Sequence, residues 1–151
     1  MKLKHLLALL LALVMLLSLA ACGGGDTASG NTAFKDGTYT ARSSDFEEDE
    51  SGNGAGYGEV TLELKDNTIT ACTFKMYELD GTLKDETYGA DMSKENRLKA
   101  QKAVQSADKY AQMLVKAGSL DGVDAISGAT ISHDEFSEAV EDALAKAAIY
   151  D

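Results

Sequence analysis

The alternation of apolar and polar residues is sharpest between Glu59 and Tyr77. Val60, Leu62 and Leu64 alternate with Glu59, Thr61 and Glu63, the period of a strand buried on one face. Lys65-Asp66-Asn67 supplies a turn, and Thr68 to Tyr77 continues as strand. Strict alternation puts Ile69, Ala71, Thr73, Lys75 and Tyr77 on one face and Thr70, Cys72, Phe74 and Met76 on the other. A shorter β-prone stretch, Gly37 to Ala41, comes earlier, and a Gly-rich acidic loop through Gly58 separates the two. Residues 79–92 read as loop. The period then changes to that of a helix. From Ser93 to about Ala117, the residues Ala100, Ala103, Val104, Ala107, Ala111, Leu114 and Val115 recur at helical spacing, and Gly118 is a stop. A last helix runs from Ser132 to about Ala148, with Phe136, Val140, Ala143, Leu144 and Ala147 on one face. Ser132 and Glu135 form a capping-box pattern at its start. This order predicts an α+β fold, a small antiparallel sheet packed against helices.

The first residues follow a different logic. Lys2, Lys4 and His5 make a basic start, and Leu6 to Ala21 is an unbroken apolar run of 16 residues. That is short for a membrane span, which needs roughly 20. It ends in Leu19-Ala20-Ala21-Cys22, small residues before a cysteine, which resembles the lipobox of bacterial lipoproteins. The resemblance implies a signal peptide over residues 1–21 and a lipidated Cys22 as first mature residue. The protein would then be anchored to the outer face of a cell membrane by lipid such as palmitate. Gly23 to Asn31 has no apolar residue larger than Ala and reads as a flexible tether, so that 22–33 link the anchor to one domain over 34–151. An ordinary secretory signal with an incidental cysteine is the alternative.

Charge narrows the partners. The chain carries 14 basic and 25 acidic residues, a net charge of −11. Such a surface argues against nucleic acid and against binding to anionic lipid. Of the two cysteines, only Cys72 remains once Cys22 is lipidated, so no internal disulfide is then available. Cys72 reads as a small core residue. Glu47 to Glu50 is a solvated acidic run whose spacing is not that of a known calcium loop. One histidine in the domain and no cysteine pair speak against a transition-metal site.

The candidate chemistry lies just before the last helix, in Asp124-Ala125-Ile126-Ser127-Gly128-Ala129-Thr130. A carboxylate, two hydroxyls and a Gly-Ala pair leave the backbone uncovered, so a large group can lie close to it. Thr130 falls just before the expected helix start, where free N–H groups and the macrodipole favour phosphate. Read as structure alone, the stretch is a turn before a helix. Its Asp-x-x-Ser-Gly-Ala-Thr pattern, however, resembles the flavinylation motif of the FMN-binding domain family. That family includes the FMN subunits of sodium-pumping NADH:quinone oxidoreductases and their Rnf relatives. The resemblance implies covalent FMN on Thr130 through a phosphoester, installed by a flavin transferase with FAD as donor. Asp124, Ser127, Gly128 and Ala129 would be the positions the transferase reads. A second contribution of Asp124 would be to fix the turn, as a half-buried carboxylate accepting backbone N–H bonds.

Beyond the motif the signals are weaker. Tyr88, beside Gly89 in a loop, is the first choice to pack on a flavin ring, ahead of Tyr77, Tyr57 and Phe74. His133 is either a solvated residue of the helix start or a contact to the flavin. No paired carboxylates are marked by spacing as catalytic. The resulting expectation is an extracytoplasmic electron carrier, reduced by a membrane quinol or NADH dehydrogenase module. The alternatives are a lipoprotein binding module without flavin and a dedicated flavin-dependent reductase of a small acceptor.

Overall fold

The hairpin of the sequence pattern is the centre of the domain. A computed structural model describes residues 32–48 and 54–150. The leader, Cys22, the tether to Asn31 and part of the acidic run lie outside the described residues. The elements in order are β1 (Ala33–Phe34), β2 (Gly37–Arg42), β3 (Tyr57–Lys65), β4 (Thr68–Tyr77), α1 (Lys94–Ala117), α2 (Thr130–Ala147) and β5 (Ala148–Ile149). A single 3-10 turn, Leu120–Gly122, stands between the helices. Strands β2, β3 and β4 form an antiparallel sheet in that order, and β1 pairs with β5 at the two ends of the domain. The fold class is therefore α+β. The acidic loop is shorter than expected, because Tyr57 and Gly58 already belong to β3.

Two residues with positive φ, Asp66 at 49° and Asn67 at 60°, make the turn between β3 and β4. That is the twist a two-residue hairpin loop requires. Just beyond it the alternation breaks. Glu63 pairs with Ala71, but Leu64 pairs with Ile69, so Thr70 is an extra residue bulged out of the ladder. Its hydroxyl donates to the Glu63 carbonyl at 3.1 Å. The bulge turns Ile69 over to the side of Cys72, Phe74 and Met76, where it is buried. The sequence pattern had put Ile69 on the opposite face. The reason is hydrophobic. Burying an Ile side chain is worth roughly 1.5–3 kcal/mol, more than the ladder pairing lost at one bulge.

Both helices lie on this apolar face. Helix α1 packs against β4, and α2 packs against β2 and β3. The core joins Val60, Leu62, Phe74, Leu114, Phe136 and Val140, with the rings of Phe74 and Phe136 edge to face at 5.0 Å. Two buried residues of α1 escaped the apolar stripe, Tyr110 and Ser106. Val115, placed in that stripe, is instead 36% exposed. Ser93 caps α1 by accepting the Asn96 N–H, and Gly118, at φ 77°, ends it. No helix of the described residues is long and apolar enough to cross a membrane.

The start of α2 differs from the capping-box reading. The helix begins at Thr130, two residues earlier, with Ala129 at the cap position and no side chain closing it. Ser132 and Glu135 are thus inside the helix, and both are buried. A cap needs an exposed serine with its hydroxyl turned back along the chain. Here Ser132 faces the interior because the preceding loop is held from below, as described next.

Candidate functional site

The loop from Val123 to Ala129 is positioned by one side chain. Tyr110 is fully buried, and its hydroxyl lies under the loop. It accepts the Ile126 N–H at 2.8 Å and donates to the Ala129 carbonyl at 2.9 Å. Burial raises the phenol's pKa, so it stays a donor. The Ala129 N–H closes the turn on the Ile126 carbonyl at 2.9 Å, and the His133 N–H opens α2 on the Ala129 carbonyl at 3.1 Å. His133 adds a second fastening. Its Nε2 is 2.9 Å from the Val123 carbonyl, and its ring packs on Tyr110 at 5.5 Å. This histidine is half-buried, and its contacts hold the loop down.

Asp124 does not fix the turn. It is exposed, and the N–H groups that close the turn go to Tyr110 and Ile126 instead. Ser127, Gly128 and Thr130 are exposed, whereas Ala129 is buried. Gly128 has φ 77°, and a Cβ there would lie 2.9 Å from the Lys102 ammonium. The backbone conformation favours glycine, and the absence of a side chain leaves the Lys102 ammonium close to the main chain. Thr130 is the first residue of α2, so its hydroxyl stands beside N–H groups of the first turn that have no intrahelical acceptor. No acidic side chain occupies that turn.

Beside this loop is a cleft of about 50 Å³. Gly128 and Ala129 of the loop and Ile131, Ser132 and Glu135 of α2 form one side of it, and Thr130 lies in sequence between Ala129 and Ile131. Lys99, Ala100, Ala103 and Val104 of α1 face them. Met76, Lys84, Tyr88 and Met92 complete it together with Gly54. Of the four aromatic candidates, Tyr88 alone lines the cleft. Gln101 of α1 fixes its loop by donating to the Tyr88 carbonyl at 2.7 Å. Tyr57 and Tyr77 stack on each other at 5.3 Å with Arg42 over the Tyr57 ring, and Phe74 belongs to the core.

The cleft also holds two charged groups that sequence reasoning did not select. Lys84 and Glu135 are 8% and 2% exposed. Gly58 makes the approach of Glu135 possible, since a Cβ on it would stand 2.6 Å from the Phe74 ring and 3.0 Å from the Glu135 Cβ. Lys84 donates to the Gly54 carbonyl at 3.3 Å and lies 5.2 Å from the Tyr88 ring centre. Burial pushes the Glu135 carboxyl up to about 7, partly offset by Lys84. Burial likewise lowers Lys84, against the pull of Glu135 and Glu78. Burial first, then Glu78, Glu135 and Glu48, raises the Tyr88 phenol. Nothing in the local sequence marks Lys84 or Tyr110; the only signal at Glu135 was the misleading capping box.

A family model described as the FMN-binding domain matches residues 53–145, which contain the whole cleft and its loop. The chain belongs to the FMN-binding domain family. Its cofactor class is therefore flavin, as FMN. No curated protein matches the chain. Among solved structures, the crystal structure of a Clostridium perfringens protein is similar, with TM-score 0.56 and 21% identity over 76% of this chain and 88% of that one. It supports the fold. A solution structure of a Clostridium thermocellum protein has 27% identity, TM-score 0.45, and covers 74% of this chain and 91% of its own.

The residues present fit this cofactor. An FMN-binding domain needs a seat for a phosphate and an apolar surface for a ring. The open first turn of α2 with Lys102 nearby supplies the first. Met76, Met92, Ala100 and Val104, with Tyr88, supply the second.

Two expectations test this geometry. Replacing Tyr110 by Phe strands the Ile126 N–H and takes one donor from the Ala129 carbonyl. The stability measured by urea unfolding should fall by about 1–3 kcal/mol; an unchanged midpoint would mean that the loop is held otherwise. The second concerns pH. The folded pKa of Glu135, about 7, lies above its ordinary value of 4.5. The fold therefore favours the protonated acid, and its contribution is full below 4.5 and lost as pH rises through 7. The difference is on the order of 3 kcal/mol. Glu135→Gln should match the native melting temperature at pH 4.5 and exceed it by roughly 10–15 °C at pH 8. A gain independent of pH would show that ionisation of Glu135 is not its source.

Proposed function

We propose that this protein is a membrane-anchored, extracytoplasmic electron carrier with FMN joined to Thr130 by a phosphoester. The observation that carries the reading is the exposed Thr130 at the uncapped first turn of α2, flanked in sequence by the cleft-lining Ala129 and Ile131, in a chain of the FMN-binding domain family. In attachment, the Thr130 Oγ attacks the FMN-side phosphorus of FAD on a flavin transferase. The new P–O bond forms, the pyrophosphate bond breaks, AMP leaves, and the hydroxyl proton passes to the transferase. Asp124 and Ser127, both exposed beside Thr130, are available for that enzyme to read. The first-turn N–H groups and Lys102 would hold the phosphate charge. Tyr88 and the methionines of the cleft would offer the ring an apolar surface. Once bound, the flavin supplies reversible electron transfer, while the protein supplies placement and electrostatics.

Two features support a carrier over a dedicated reductase. The cleft is small, about 50 Å³, so a ring laid over it would stay reachable from outside. Covalent attachment also keeps a cofactor from being lost by dilution outside the cell. The electron donor in this reading is a membrane quinol or NADH dehydrogenase module. Cys22 anchors the chain, and the nine residues of the tether give it a reach of about 15–18 Å.

Co-expression with a flavin transferase should add the mass of one FMN to the intact chain, in a form that survives denaturation. Thr130→Ala should remove all of it while changing stability by less than about 0.5 kcal/mol, since the residue is exposed. Flavin that still migrates with the denatured variant would sink the assignment. For the anchor, Cys22→Ala should move the protein from the membrane fraction to the soluble one; unchanged fractionation and processing would remove the lipid from the account.

A further inference from the structure

Glu135 is the most unusual side chain of the molecule. It is 2% exposed, yet no group among the described residues donates a hydrogen bond to its carboxylate. Buried carboxylates are ordinarily hydrogen-bonded or paired at contact distance. Lys84 acts on Glu135 through its charge but does not form a contact ion pair with it. Among the described residues no fully sealed side-chain oxygen or nitrogen lacks a partner. The unbonded oxygens of Glu135 must therefore open onto the space of the cleft that they line. Gly58 is needed to let the side chain stand there. A residue serving packing alone would be apolar at this position, or would have its oxygens bonded.

We propose that Glu135 is the redox-linked proton site of this domain: as the FMN on Thr130 gains electrons, the Glu135 carboxylate takes a proton from the water at the cleft mouth, and releases it on reoxidation. This rests on the flavin reading above. The physical driver is like-charge coupling. A flavin that gains two electrons and one proton becomes an anion. An anion close to a carboxylate in a poorly solvated site raises the carboxylate's proton affinity. Glu135 is already poised near neutrality by burial, so a modest further rise switches it within the physiological range. The charged and titratable groups around it are few. Lys84 comes from the segment after β4, Tyr88 from the next loop, Lys99 from α1 and Asp134 from α2 itself. Glu78 acts on Lys84 from the end of β4. Gly58 of β3 stands against it, and Met76 of β4 lines the same cleft. Lys84 keeps the oxidised state from protonating Glu135 too early. In the balanced step, two electrons come from the reductant and the ring takes its own proton. One O–H bond then forms on Glu135 with a proton from water.

The test uses the full chain in two forms. Without flavin transferase, carbon-13 spectra of labelled Glu135 should titrate near pH 7, and Lys84→Met should move that midpoint upward. A Glu135 midpoint near 4.5 would overturn the proposal. With FMN loaded, dithionite reduction at pH 8 in weak buffer is followed by an indicator dye. The native chain should take up most of one proton more per two electrons than Glu135→Gln. In Lys84→Met the extra proton should appear at higher pH, which keeps the test decisive if Glu135→Gln loads poorly. Equal proton counts in loaded native and Glu135→Gln chains would overturn this proposal alone. A chain that never gains the mass of FMN would overturn the flavin reading and this inference with it.

Discussion

A single buried phenol sets the shape of the site. The Tyr110 hydroxyl joins a donor and an acceptor three residues apart in the loop before α2, the Ile126 N–H and the Ala129 carbonyl. With both groups satisfied below the loop, the backbone can turn its other side to solvent without stranding polar atoms in the core. Gly128 then takes its left-handed conformation, and α2 starts at Thr130. Helix α2 starts without a side-chain cap, and the carbonyl of its cap residue, Ala129, accepts from Tyr110. An uncapped first turn is a cost for a structural helix and an opportunity for an anion site, since the orphan N–H groups remain available.

The cleft beside that turn follows from how the helices share one face of the sheet. Strand β4 carries α1, and β2 with β3 carry α2, so the two helices diverge enough to leave a gap above Met76. Small residues keep the gap open: Ala100 and Ala103 on α1, Ala129 at the start of α2. The chain is strongly acidic overall, with a net charge of −11. Yet Lys84, Lys99 and Lys102 all come to this one place. A local concentration of cations in an acidic protein favours a bound phosphate over a neutral ligand. The exception is Glu135, which is held unbonded in the cleft against the cost of burial and is best understood through the chemistry of the site.

Local patterns made much of the fold legible. The β3–β4 hairpin, both helices, the Ser93 cap and the Gly118 stop depend on residues within a few positions of one another. So does the motif around Thr130, which is a short run of residue types. Periodicity, turn chemistry and motif spacing are all properties of neighbours along the chain, and a sequence displays them directly. The paired ends β1 and β5 were not legible, since two-residue strands carry no period.

What tertiary structure decided is a set of choices between locally equal options. Strict alternation sent Ile69 outward, and a bulge at Thr70 brought it in because the core had room for an apolar side chain there. The serine and glutamate that imitate a capping box became interior residues, because Tyr110, twenty residues before the helix start, had already set where α2 begins. Asp124 looked like the brace of its turn, but a buried hydroxyl from another element does that work at lower desolvation cost than a carboxylate. Lys84 and Glu135 are 51 positions apart in sequence and come to line the same cleft only in the fold, where Gly58 of β3 leaves room for Glu135. The sequence by itself determined the β3–β4 hairpin, the two helical segments and the family motif before α2; only packing determined which side chains face the cleft, because burial is a property of contacts between segments that the linear pattern does not contain.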